Sequence, residues 1–259
     1  RHLGLSLDED FCFEEFADRV AELVEKHVNI NRLLELTKPV ATAVVPISAG
    51  RHIYKREPSF PIAVACDPAF NFVYEANIRY LHHLGEVTYF SPLADTSLPD
   101  AGFVYLPGGY PELYLAALSA NRQMLQSIRR YVESGGKLLA ECGGMMYLCD
   151  EIRDKNGYVY PMAGVLHQSA TMENMKLRLG YRTLLYNETR LKGHEFHYSR
   201  LVEQQNPLPS CAVAYTAKGV ETDTPLYHYK NVWAGYTHLY WADPVGNEWF
   251  TKFVIDGNT

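Results

Sequence analysis

Between Pro61 and Leu148, short apolar runs alternate with amphipathic runs, and this alternation restricts the fold more than any other feature of the sequence. The apolar runs have the length of buried strands, and the amphipathic runs have the period of helices. The predicted strands are Ile62–Cys66, Val87–Phe90, Phe103–Leu106 and Lys137–Ala140, and the predicted helices are Val73–Leu84 and Gln123–Ser134. This alternation predicts an α/β fold, with a mainly parallel sheet and helices on both faces.

The segments on either side of this region have other patterns. Residues 12–28 and 31–36 have helical spacing, whereas residues 37–60 contain three prolines and no clear period, which indicates a linker. After about Gly157 the period shortens, and we expect antiparallel strands added to the sheet. These predicted strands are Leu177–Tyr186, His194–Arg200, Cys211–Thr216 and Tyr227–Tyr236, followed by a helix at Asn247–Ile255.

Cys142 lies between a predicted strand and a predicted helix, directly before Gly143 and Gly144. A cysteine on a sharp strand-to-helix turn flanked by glycines has the geometry of a nucleophile elbow. We expect the helix N-terminus to lower the thiol pKa and favour the thiolate. The alternative is a buried cysteine that packs as a small apolar residue, which is how we interpret the other four cysteines.

A thiol nucleophile needs a base and oxyanion donors, and the sequence offers candidates for both. His238 follows a predicted strand and comes late in the chain, as the base of a nucleophile-elbow enzyme does. The backbone N–H of Gly143 is one candidate donor, and the Gly108-Gly109 turn offers a second at Gly109. The alternatives are a structural histidine and an ordinary tight turn.

Several other classes of function are disfavoured. The 259 residues carry a net charge of −6 and no lysine- or arginine-rich stretch, so we expect no nucleic-acid partner, and no apolar run has the length of a membrane span. Five cysteines without paired spacing predict a reducing, cytoplasmic location. His194 and His197 invite a metal interpretation, but a strand would put them on opposite faces, so we predict no metal. The chain contains no phosphate-loop motif, so we expect no nucleotide cofactor within it.

Seven segments carry a resemblance to known families. Those that resemble the class I, triad-type glutamine amidotransferases are AECGGMMYL at 140–148, LPGGYPE at 106–112 and YTHLYW at 236–241. Those that resemble, more narrowly, the cobyrinic acid a,c-diamide synthase family are IAVACDPAFNFVY at 62–74, FSPLADTSLPD at 90–100 and GHEFHYS at 193–199. RHLGL at 1–5 resembles the last part of that family's ATP-dependent synthetase domain.

The resemblance implies a flavodoxin-like sheet and three regions: the tail of a synthetase domain at 1–45, a linker at 46–60 and an amidotransferase domain at 61–259. It implies that Cys142 attacks L-glutamine, that His238 transfers the proton, and that Gly109 and Gly143 bind the oxyanion. The ammonia would serve amidation of the a and c carboxylates of a corrinoid, with ATP and Mg²⁺ bound by a synthetase domain outside this chain. We therefore expect this chain to be a fragment.

One position departs from the family pattern. Many triad-type amidotransferases have a glutamate two residues after the histidine, and this chain has Tyr240 there. The candidate orienting acids are then Glu195, Asp243 or an acid from the absent domain. Two alternative functions stay open: the same chemistry serving nickel sirohydrochlorin, and a catalytically silent interaction domain. The sequence does not set the oligomeric state.

Overall fold

The structure, a computed structural model, describes residues 12–37 and 60–256. The chain divides into two compact units, residues 1–53 and 54–259, which are described separately below. The RHLGL segment and all of the predicted linker except Phe60 lie outside the described residues. The boundaries expected at 45 and 60 therefore stay a prediction.

Two helices form the described part of the first unit, α1 at Phe13–His27 and α2 at Ile30–Leu36, as the helical spacing predicts. Helix α1 has acidic residues in its first turn and basic residues in its last turn, which complements the helix dipole. The N-cap of α2 is Asn29, whose side chain accepts the backbone N–H of Arg32 at 2.9 Å. Charge placement thus favours α1, whereas a side-chain cap stabilises the start of α2.

The second unit contains three sheets and five α-helices within its described residues. The helices are α3 (Glu75–Leu84), α4 (Leu115–Ala120), α5 (Arg122–Glu133), α6 (Gly143–Leu148) and α7 (Pro244–Thr251), with a 3₁₀ turn at Pro111–Leu113 and a π-helical turn at Lys252–Asp256. The strands are β1 (Phe60–Ala65), β2 (Gly85–Phe90), β3 (Phe103–Leu106), β4 (Lys137–Glu141), β5 (Glu151–Arg153), β6 (Val159–Pro161), β7 (Ser169–Thr171), β8 (Arg178–Tyr186), β9 (Thr189–His197), β10 (Arg200–Leu201), β11 (Val213–Thr216), β12 (Glu221–Thr222), β13 (Leu226–Tyr229), β14 (Val232–Gly235) and β15 (His238–Leu239).

The central sheet has six strands in the order β13-β14-β4-β3-β1-β2. All neighbouring pairs are parallel except β13 and β14. The predicted α/β fold with a mainly parallel sheet is therefore confirmed. Strands β1, β3, β4 and β14 end at the same edge of this sheet, which is where open α/β sheets place ligands and chemistry.

Apolar side chains on both faces of the central sheet build two cores. Along β3, Val104 and Leu106 pack on one side with α4, α5 and α6, whereas Phe103 and Tyr105 pack on the other with α3 and α7. Strands covered on both faces appear in the sequence as continuous apolar runs rather than alternating ones. This explains why β3 and β4 were recognisable as strands.

The later half of the unit differs from the prediction in its strand pairing. The predicted strand Tyr227–Tyr236 is a hairpin of β13 and β14, which turns at Lys230 with φ of 51°. Among the described strands, β13 alone is an antiparallel addition to the central sheet, because β14 pairs with β4 in parallel. The remaining strands form two further sheets, in the orders β10-β7-β5-β6 and β12-β11-β8-β9-β15.

The last helix also begins earlier than the sequence predicted. Helix α7 starts at Pro244 rather than Asn247, because the side chain of Asp243 caps it by accepting the N–H of Gly246 at 2.7 Å. Proline is favoured at the first position of a helix, so Asp243-Pro244 is a start signal.

Candidate active site

Loops that follow the parallel strands meet at the carboxyl edge of the central sheet. The elbow follows β4, and the Gly108-Gly109 turn follows β3. The backbone N of Gly109 lies 3.3 Å from the position that a Cβ on Gly143 would occupy. The ring of His238 lies against Gly108, whose Cβ position is 2.2 Å from the imidazole Cε1. The structure therefore places the predicted base, both predicted oxyanion donors and the elbow around one glycine turn.

Cys142 has the backbone conformation of a nucleophile elbow. Its φ of 48° and ψ of −106° are strained for a residue with a Cβ. Its N–H donates to the carbonyl of Gly235 at 2.7 Å, which anchors the turn to the end of β14. A Cβ on Gly144 would lie 2.1 Å from the carbonyl oxygen of Leu106, so the close approach of α6 to β3 requires glycine there.

The Cys142 thiol is buried, with 5% of the residue exposed. Burial raises the pKa of the thiol, and the nearby carboxylate of Glu112 raises it further. The backbone N–H of Gly143 has the opposite, smaller effect on this pKa. The prediction of a lowered pKa from the helix N-terminus is therefore wrong, because removal from water outweighs the local N–H groups.

The peptide between Gly108 and Gly109 carries a predicted oxyanion donor and is called the oxyanion peptide below. Hydrogen bonds with the loop after β1 hold it in place. The N–H of Phe72 donates to the carbonyl of Gly108 at 3.0 Å, and the N–H of Tyr110 donates to the carbonyl of Ala69 at 2.9 Å. In a planar trans peptide the C=O and the following N–H point in opposite directions. Because Phe72 binds the Gly108 carbonyl, the N–H of Gly109 points away from that loop, on the side available to the elbow.

The imidazole of His238 is enclosed by rings rather than by charged groups. The residue is 3% exposed, its ring centroid lies 4.5 Å from that of Phe72, and it stacks on His194 at 5.0 Å with an interplanar angle of 24°. Its Nδ1 is buried and has no hydrogen-bond partner within the described part of the chain. Burial, with the neighbouring His194 and His197, lowers the pKa of His238 to about 3. The ring is therefore neutral at physiological pH. The lowered pKa also makes it a weaker base, so it gains a proton only when a negative charge forms beside it.

Neither candidate orienting acid is hydrogen bonded to His238 in the described part of the chain. Glu195 forms an ion pair with Arg182 at 2.5 Å and lies 3.7 Å from His197. It follows His194 on β9, and because β-strand side chains alternate, it faces away from the His194–His238 pair. Burial alone would raise the pKa of Glu195, but His197, Thr224 and Arg182 lower it. Its carboxylate is thus committed to another cluster.

Asp243 is likewise used elsewhere. One carboxylate oxygen caps α7 through Gly246, and the other lies 3.4 Å from the Lys192 ammonium. Tyr240, at the position where the resemblance expects a glutamate, packs edge-on against the ring of Tyr74 with a centroid distance of 5.7 Å. No acid of the described chain takes the place of the triad carboxylate.

Glu141 was not predicted as a site residue, although it directly precedes the nucleophile. It is 2% exposed, and its carboxylate accepts the Tyr105 hydroxyl at 2.7 Å and the Leu239 N–H at 3.0 Å. Burial raises the pKa of Glu141 to about 8, against the opposing effect of these donors. The carboxyl group of Glu141 therefore links the end of β4, next to Cys142, with the backbone of Leu239, next to His238. The sequence did contain a signal for the role of Glu141, because a charged residue at the end of an apolar strand run is unusual.

With this geometry in place, comparison with known proteins identifies the family. The model of the CobB/CobQ-like glutamine amidotransferase domain matches residues 61–245, which include the elbow, the glycine turn and His238. The chain belongs to this family. The expected amidotransferase identity of this part of the sequence is therefore confirmed.

Curated relatives give the similarity a finer description. Cobyrinate a,c-diamide synthase from Leptospira interrogans is 34% identical over 253 residues, covering 93% of this chain and 55% of that protein. Hydrogenobyrinate a,c-diamide synthase from Pseudomonas aeruginosa is 37% identical over 248 residues, covering 93% of this chain and 53% of that protein. The chain spans about half the length of these relatives.

The chain is also similar to a solved structure. A glutamine amidotransferase from Thermotoga maritima superimposes with a TM-score of 0.47 at 12% identity, covering 77% of this chain and 84% of that one. None of the helices within residues 12–37 and 60–256 combines the length and the apolar character that crossing a membrane requires.

Proposed function

We propose that this domain hydrolyses L-glutamine at Cys142 to release ammonia. The observation that carries the proposal is the convergence at the glycine turn. A strained cysteine elbow, the amides of Gly109 and Gly143 and the imidazole of His238 lie around it. This set supplies a nucleophile, two oxyanion donors and a proton carrier, as acyl transfer through a thioester requires.

In the first half of the reaction, the Cys142 sulfur attacks the side-chain amide carbon of glutamine. The thiol proton passes to the neutral imidazole of His238, and the negative charge on the amide oxygen is stabilised by the N–H groups of Gly109 and Gly143. The carbon–nitrogen bond then breaks, and His238 returns the proton to the leaving nitrogen. Ammonia leaves, and a γ-glutamyl thioester stays on the sulfur.

In the second half, water replaces ammonia. His238 takes a proton from the water as it attacks the thioester carbonyl, and the same N–H groups stabilise the second oxyanion. The carbon–sulfur bond breaks, the sulfur regains a proton, and glutamate is released. Because thiol and imidazole are both neutral at rest, we propose that charge separates only after glutamine binds and excludes water.

We further propose that the ammonia is used to amidate the a and c carboxylates of a corrinoid. Support comes from the diamide synthases described above, which are similar to nearly all of this chain. We assign the ATP- and Mg²⁺-dependent activation of the carboxylates to the part of those proteins that this chain does not span. A cytoplasmic location agrees with five free thiols.

Active-site labelling tests the glutaminase proposal. Incubation with a glutamine-like chloroketone or diazo-ketone should place one adduct on Cys142, identified by peptide mass spectrometry, and excess glutamine should protect it. The exposed thiols of Cys12 and Cys66 are internal controls for nonspecific alkylation. We expect Cys142→Ser to lose glutamine hydrolysis and keep the wild-type circular dichroism spectrum.

The same experiment tests the silent interaction domain. The buried, high-pKa thiol, and the lack of a carboxylate at His238 among the described residues, keep that domain as a second candidate. Labelling of Cys12 or Cys66 with an unmodified Cys142 would support that candidate. Corrinoid use is tested separately with the full-length enzyme, ATP, Mg²⁺ and glutamine. Formation of the diamide from cobyrinate supports it, and turnover only with nickel sirohydrochlorin contradicts it. We expect the 259-residue chain alone to make no diamide.

A further inference from the structure

Among residues 12–37 and 60–256, no acid orients the base of this site. Nδ1 of His238 is buried and has no hydrogen-bond partner among these residues, Glu195 and Asp243 bind other residues, and Tyr240 stands at the position expected for an acid. A neutral imidazole that is not held can rotate about its side-chain torsions, and misorientation lowers the rate of proton transfer. Other contacts must therefore fix the ring.

Those contacts come from rings on two different elements. His194 lies directly opposite His238 in the antiparallel pairing of β9 with β15, and their rings stack at 5.0 Å. Phe72, from the loop after β1, presents its edge at 4.5 Å and 61°. Gly108 closes a third side, since a Cβ there would overlap the imidazole. The imidazole plane is thus defined by packing on several sides.

His194 is itself held in place. The hydroxyl of Tyr74 lies 2.6 Å from Nδ1 of His194, and Phe72 packs against both rings at 6.0 and 5.5 Å. This hydrogen bond restrains the rotation of the His194 ring, and the stacked ring in turn restrains the imidazole of His238. Phe72, Tyr74 and His194 therefore form one connected unit, named the aromatic clamp below.

The clamp also connects the base to the oxyanion peptide. The backbone N–H of Phe72 binds the carbonyl of Gly108, while its side chain packs against His238. A single residue thus sets the direction of the Gly109 N–H and limits the motion of the imidazole. Both groups act on the same tetrahedral intermediate, so their relative placement affects the rate.

We propose that the aromatic clamp of Phe72, Tyr74 and His194 positions the His238 imidazole in place of a triad carboxylate. The three residues are positioning residues, since they act through His238 and need not touch glutamine. The inference rests on the proposed glutaminase function. The inference has a distinguishing consequence. The shape of the His194 side chain should affect kcat, whereas the carboxylates of Glu195 and Asp243 should not.

Steady-state glutamine hydrolysis tests the clamp. We expect His194→Ala to lower kcat about 10²-fold with KM nearly unchanged, because the ring loses its stacking partner while the glutamine site stays intact. His194→Phe keeps a flat ring but loses the hydrogen bond to Tyr74, so it should recover kcat only to about the level of Tyr74→Phe. Tyr74→Phe removes one hydrogen bond and should lower kcat about tenfold. Tyr181→Phe is the matched control, because Tyr181 faces His194 in register but is 74% exposed.

Several results would overturn the clamp. These are an unchanged kcat in His194→Ala, an equal loss in His194→Phe and His194→Ala, and a loss of kcat in Tyr240→Phe that matches the loss in Tyr74→Phe. Circular dichroism and melting temperature identify variants that do not fold, and Tyr74→Phe is conservative enough to serve if His194→Ala unfolds. Labelling of wild-type Cys142 separates the two levels. An unlabelled wild type contradicts the proposed function, whereas a labelled wild type with unaffected clamp variants contradicts the clamp alone.

Discussion

The nucleophile and the base of this site are held by different kinds of interaction. Cys142 is fixed by the backbone: a strained turn, a main-chain hydrogen bond to Gly235, and a neighbouring glycine whose replacement would clash. His238 is fixed by side chains, chiefly Phe72 and His194, which come from distant parts of the sequence. A conformation held by the backbone is encoded in a short motif, whereas a ring held by side chains depends on the packing of residues far apart in the sequence. The two halves should therefore respond differently to substitution.

The largest loss of kcat is expected where the backbone of the glycine turn is disturbed. Gly109 has φ of 155°, and a Cβ there would lie 2.2 Å from the Ala69 carbonyl oxygen, so Gly109→Ala should displace the oxyanion peptide. Loss of one oxyanion donor lowers kcat by about 10²–10³-fold. Steady-state hydrolysis measures this loss. Gly219→Ala is the control, because its φ is 75° but no atom lies within 4 Å of the added Cβ.

A smaller loss of kcat is expected when the hydrogen bonds that connect the Cys142 segment with the His238 segment are broken. Glu141→Ala leaves the Leu239 N–H and the Tyr105 hydroxyl without their acceptor, which costs about 1–3 kcal/mol of unfolding free energy per group. The strand that carries His238 then loses an anchor, and we expect kcat to fall by up to about 10²-fold. Glu141→Gln keeps an acceptor for Leu239 and should retain most activity. Equal activity of the Ala and Gln variants would show that Glu141 has no positioning role.

The central sheet could be predicted because its information is local. The apolar runs of β1, β3 and β4, the glycine turn and the Cys142 motif each lie within a few consecutive residues. The β13–β14 hairpin was missed because its turn at Lys230 has a positive φ without glycine, so the aromatic run looked continuous. The polar pair Lys230-Asn231 was the local signal for a turn between two strands.

The environment of His238 could not be predicted for a different reason. Glu195 and His194 are adjacent in sequence, and only the register of β9 against β15 decides which of them meets the imidazole. The segments that contain Phe72, Tyr74 and His194 did carry the family resemblance, but a resemblance does not show what a side chain contacts. Burial was also inaccessible, and it reversed the expected direction of the Cys142 pKa.

Stability against pH gives a third, smaller test, directed at Glu141. Its pKa is about 8 in the folded protein and 4.5 when unperturbed, so between these values the folded state holds a proton that the unfolded chain has released. Stability from this group is therefore greatest at low pH and falls as pH rises from about 4.5 to 8, by an amount on the order of a few kcal/mol.

Urea unfolding of wild type and Glu141→Gln at pH 5 and pH 8 measures this dependence, because glutamine does not titrate. The wild type should lose more stability than the variant over this interval. The exposed Glu203→Gln serves as the control and should follow the wild type. Parallel pH dependence in Glu141→Gln and wild type would mean that the Glu141 carboxyl ionises normally in the folded protein.

The smallest effect separates a capping acid from an orienting acid. Asp243→Ala removes the cap of α7 and should lower the free energy of unfolding by about 1 kcal/mol, whereas the surface pair with Lys192 adds little. Asp243→Asn keeps a capping oxygen and should be nearly as stable as wild type. If Asp243 only caps, both variants hydrolyse glutamine at the wild-type rate. If it orients His238 when glutamine is bound, both should lose kcat, since neither carries a carboxylate, and the contrast between a backbone-held nucleophile and a ring-held base would no longer stand.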